Sequence, residues 1–99
     1  MDWEELKDAL DQADDHISSA LQRATPRDLD WNKLVTMRLT VRNLRDEILA
    51  AQVNEYRALA QARSGQLQEL VNGLQDRSEQ IAKVVGAVER CIGLLDKLA

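Results

Sequence analysis

A chain of 99 residues with 44% apolar and 30% charged side chains has the size of one small domain, too apolar for a disordered segment. It contains no run of the roughly 18 apolar residues that a membrane helix needs, one cysteine (Cys91) excludes an internal disulfide, and one histidine (His16) excludes a histidine-rich metal site. The net charge of −4 is unevenly spread: residues 1–22 carry −6, residues 23–45 carry +4 and residues 46–99 carry −2.

The acidic start, MDWEELKDAL, lacks the basic-then-apolar order of a secretory signal. The chain therefore reads as cytoplasmic, or as a domain of something larger. Pro26 is the only proline, and the glycines are Gly65, Gly73, Gly86 and Gly93. With so few breakers and so much Ala, Leu, Gln, Arg and Glu, the composition predicts an all-α fold.

In the first segment Trp3, Leu6, Leu10, Ala13, Ile17, Ala20 and Ala24 alternate spacings of 3 and 4. That seam predicts a helix over about 2–24, with Asp8, Asp11, Asp14 and Asp15 facing water. The stretch ATPRDLDW then ends it, because Pro26 removes a backbone donor and pushes Thr25 out of the α region. Thr25 with Asp28 has the spacing of a capping box, and Asp30 is a second N-cap candidate.

The second segment carries two stripes. Leu34, Met37, Val41, Leu44, Ile48 and Ala51 form the first. Folded back on the first helix, they meet its seam in one antiparallel register, from Trp3 opposite Ala51 to Ala20 opposite Leu34, with Asp14 close to Arg38. Val35, Leu39, Leu49, Val53, Tyr56 and Ala60 form the second stripe, interrupted by Arg42 and Asp46. A helix with two stripes has two neighbours. The third segment supplies the other one through Leu67, Leu70, Leu74, Ile81, Val84, Val88, Cys91, Leu95 and Leu98, with Arg77 as a misfit. In that register Leu39 lies opposite Cys91 and Tyr56 opposite Leu74.

With a turn at Ser64-Gly65, the expectation is one domain over residues 1–99: an up-down-up antiparallel three-helix bundle with helices about 2–24, 31–63 and 66–98. The alternative keeps the helix continuous through Gly65, at a cost of about 1 kcal/mol. It is a helical hairpin plus a long helix that forms a coiled-coil dimer.

No residue pattern supports catalysis. Cys91 falls on a seam and reads as a buried structural cysteine, and His16 reads as a surface histidine. No cofactor, metal or small-molecule substrate is implied, so the chain is read as a non-enzyme. The expected function is a helical protein–protein interaction module: an adaptor, export-type chaperone, regulator or assembly subunit. In the three-helix reading the first helix is too short to cover the far ends of the others. Val53, Tyr56, Leu59, Leu67, Leu70 and Leu74 then form an apolar groove for a partner helix or for a second copy in a homodimer. The alternative is a nucleic-acid-associated regulator using Lys33, Arg38, Arg42 and Arg45 as an anion-binding face. The acidic overall balance and the lack of interleaved aromatics argue against it.

Overall fold

The computed structural model describes residues 3–50, 56–76 and 78–97, apart from the side chains of Trp3 and Leu49. The described residues form four helices and no strand: α1 (Trp3–Arg23), α2 (Trp31–Ala50), α3 (Tyr56–Gly73) and α4 (Glu79–Asp96). No helix among them is long and apolar enough to cross a membrane.

Each helix packs on two neighbours, in the ring order α1, α2, α3, α4, with α4 closing against α1. Side-chain bonds fix the directions. Asp11 and Asp14 of α1 meet Arg45 and Arg42 of α2, so these helices are antiparallel. Glu47 of α2 meets Arg63 of α3, while Lys33 lies over Gly73. Ser64 of α3 donates to Asp96 of α4, and α4 returns along α1 through Gln80 to the His16 carbonyl and Arg90 to Gln12. The result is an up-down-up-down four-helix bundle measuring 41 × 20 × 19 Å.

The first helix and its turn follow the sequence reading. The seam residues Leu6, Leu10, Ala13, Ile17 and Ala20 are all buried. After α1, the Thr25 N–H donates to the Asp28 carboxylate at 2.8 Å, and the Asp28 N–H donates to the Thr25 carbonyl at 2.9 Å. Asp28 thus closes a tight turn just ahead of α2. The first stripe of α2 is also core: Leu34, Met37, Val41 and Leu44 are buried, and Ile48 packs against them half-buried.

The three-helix count is overturned, and so is the continuous helix from 31 to 98. The stretch read as one helix over 31–63 belongs to two helices, α2 and α3, that lie side by side. Residues 51–55 between them, Val53 included, lie outside the described residues. Gly65, read as a turn, lies inside α3 with nothing within 4 Å of where a Cβ would be. Its cost of about 1 kcal/mol is outweighed by the burial of Ala60, Leu67 and Val71 on either side of it. The chain instead breaks at residues 74–78. There Ser78 caps α4, accepting from the Ile81 N–H at 3.4 Å, and Asp76 accepts from both the Ser78 N–H and its hydroxyl. Arg77, the misfit in the third seam, lies outside the described residues.

Length explains the choice. Helices of 33 residues would span about 50 Å and leave α1, with its 21 residues, covering only part of them. Four helices of 21, 20, 18 and 18 residues match one another, so the seams of all four can meet along most of their length. The second stripe of α2 is correspondingly weaker than expected. Val35 is half-buried against the core, but Leu39 is 54% exposed and does not lie under Cys91.

Two substitutions separate these architectures. If residue 65 sits in mid-helix, Gly65→Ala stabilises by about 0.5–1 kcal/mol in urea unfolding, whereas a turn there would make it neutral or destabilising. Leu67→Ala, in the fully buried layer, is expected to cost about 2–5 kcal/mol in the same measurement.

Candidate functional site

The groove expected along residues 53–74 is closed from within. Leu67 and Leu74 are core residues, and Leu59 and Leu70 are half-buried and packed against that core. Tyr56 is half-buried at the start of α3. The premise of the groove was a missing third helix, and α4 occupies that position. No partner helix can lie on Leu67 or Leu74 while the bundle is intact.

The basic face is likewise engaged. The Arg42 Nε donates to Asp14 at 3.0 Å and Arg45 donates to Asp11 at 2.8 Å. Asp14 therefore meets Arg42, one helical turn beyond the expected Arg38. The Lys33 side chain runs along α3, where its Cε lies 2.7 Å from the position a Gly73 Cβ would take. Arg38 is half-buried, and its Nε is enclosed without a hydrogen-bond partner. Two of the four cations expected to meet phosphates are thus already paired with carboxylates of the same chain.

Cys91 is fully buried among the core residues of α4. Burial pushes its thiol up from 9.0 to about 12, opposed more weakly by the charge of Arg90 and a backbone hydrogen bond. The thiol stays protonated at neutral pH and is a poor nucleophile. His16 is half-buried on α1, where its backbone carbonyl accepts from Gln80. Among the described residues, no group of three His, Cys, Asp or Glu side chains is placed to hold a metal ion.

Two depressions lie at opposite ends of the bundle. At one end a depression of about 320 Å³ runs between α1 and α2, bordered by Leu6, Leu10, Ile48 and Tyr56. At the other end the α1–α2 and α3–α4 connections stand side by side and enclose a wider depression of about 840 Å³. Ala20, Leu34 and Ile81, all buried, form its floor. Leu29 stands on its edge, 75% exposed, the most exposed large apolar side chain among the described residues.

One residue assembles this end. Asp30 is only 4% exposed, and its carboxylate accepts the N–H groups of Gln75 at 2.9 Å and Asp76 at 2.8 Å. A buried carboxylate is costly unless hydrogen-bonded, and two backbone donors meet that need. The sequence reading gave Asp30 the N-cap of α2. Its backbone does take that place, since the Leu34 N–H donates to the Asp30 carbonyl at 2.9 Å, but its side chain crosses to the other loop. Leu29 and the Asp30 bridge were not legible in the sequence, because their partners lie about 45 residues away.

No protein-family model, curated protein or solved structure matches this chain. The functional reading therefore rests on these side chains alone.

Asp30→Ala leaves two backbone donors without their acceptor and is expected to lower stability by about 2–4 kcal/mol in urea unfolding. Asp28→Ala, in the exposed turn, should cost well under half of that. The Cys91 thiol is expected to react with a disulfide reagent at pH 8 at least roughly a hundredfold more slowly in the folded chain than in denaturant. Because the folded thiol is raised, its contribution to stability is intact below about pH 9 and is lost as pH climbs towards 12.

Proposed function

We propose that this chain is a non-enzymatic helical interaction module that meets a protein partner at the loop end of the bundle. The observation that carries this reading is Leu29, 75% exposed beside an apolar-floored depression and held there by a turn that Asp28 and Asp30 pin on both sides. An exposed leucine on a mobile tail would have no such meaning. On a fixed rim it offers apolar surface whose shape does not have to be ordered on binding. The long faces of the bundle support the same reading, since α1–α2 and α2–α3 are zipped by ion pairs and the seam residues of α3 and α4 are buried.

Site-specific photocrosslinking in the source cell tests this. A photoreactive residue at position 29 is expected to form a discrete protein adduct, and one at position 89, on the exposed face of α4, is not. Equal adducts from both positions, or none from position 29, would remove the loop end as the docking surface.

A further inference from the structure

We infer that the loop-end depression takes a peptide segment of the partner that carries apolar side chains between basic ones. This rests on the reading of that end as the docking surface and adds the chemistry of what docks there.

The depression has two chemically distinct parts. Its floor is apolar, built from Ala20, Leu34 and Ile81, with Leu29 beside it. Its volume of about 840 Å³ accommodates several side chains at once. Among the described residues its lining holds four carboxylates, on Asp28, Asp30, Asp76 and Glu79, and one guanidinium, on Arg23. Asp30 is buried and engaged with two backbone donors, which leaves Asp28, Asp76 and Glu79 as the exposed charge. Two of these are held in place: Asp28 by the Thr25 N–H, and Asp76 by Ser78. Fixed negative charge around an apolar floor favours an occupant with the reverse pattern.

The same arrangement disfavours other occupants. A phosphate-bearing ligand would meet carboxylates. The carboxylates are not grouped to hold a metal ion.

The test titrates the ¹⁵N-labelled full chain with two short synthetic peptides that share the same leucines. One has lysines between them and its twin has glutamates. The lysine peptide is expected to shift the amide resonances of Leu29, Asp76, Ser78 and Glu79 first, while the glutamate twin shifts none. Leu29→Ser and Glu79→Gln, both at exposed positions, should each weaken binding by roughly three- to tenfold without lowering the melting temperature, and added salt should weaken it further. Shifts spread over the acidic face of α1, at Asp8, Asp11 and Asp15, would reduce the effect to unspecific attraction of cations and overturn the inference. Equal binding of the twin, no binding of either peptide, or the same amides moving on dilution of the chain alone would overturn it too. A crosslink from position 29 without binding of the lysine peptide would retire the occupant's chemistry and leave the docking end standing. Peptide binding at these amides without a crosslink would do the reverse.

Discussion

Every helix of this bundle has apolar surface facing two neighbours and only about 30 Å of length along which to cover it. That constraint decides the architecture. Amphipathic helices of unequal length leave part of a seam in water, at roughly 25 cal/mol per Å² of apolar surface. Reversing the chain after Ala50 and again after Gly73 gives four helices of nearly equal length. Ile17, Met37, Leu67 and Val88, one from each helix, are then all inaccessible to solvent. Gly65 stays helical and Cys91 is buried because this packing holds them, whatever their local preferences.

Charge follows the packing. The acidic α1 lies beside the basic part of α2, and Arg63 makes a two-point contact with Glu47 across α2 and α3. Ion pairs as exposed as Arg42–Asp14 and Arg45–Asp11 contribute little to stability. They favour this antiparallel pairing over others and remove free cations from the face where a polyanion would have to bind. A basic stretch in a sequence is a binding surface only where its own fold leaves it unpaired.

The loop end is different because it is built from groups far apart in the chain. Asp30 sits under both connections and ties them together with two hydrogen bonds. By holding the α1–α2 turn against the α3–α4 loop, it fixes the position of Leu29 and brings Asp28, Asp76 and Glu79 around one depression. A stabilising contact and a candidate recognition surface thus share one residue.

The sequence alone determined the helical class, the seam and extent of α1, the turn around Pro26, the first stripe of α2 and the burial of Cys91. All of these are local or periodic properties, written in spacings of three and four residues. It did not determine the number of helices. Heptad phase runs on through residues 51–55, and a single exposed glycine at position 65 resembles a break as much as the true one, which a serine cap at Ser78 provides. Only the tertiary structure chose between them, because the decisive quantity is the match of lengths among packed helices, which no short window of sequence contains. The same holds for the candidate site. Leu67 and Leu74, read as groove, are core; Arg42 and Arg45, offered as an anion-binding face, are paired; and Leu29 gains a fixed place only because Asp30 joins two loops about 45 residues apart beside it.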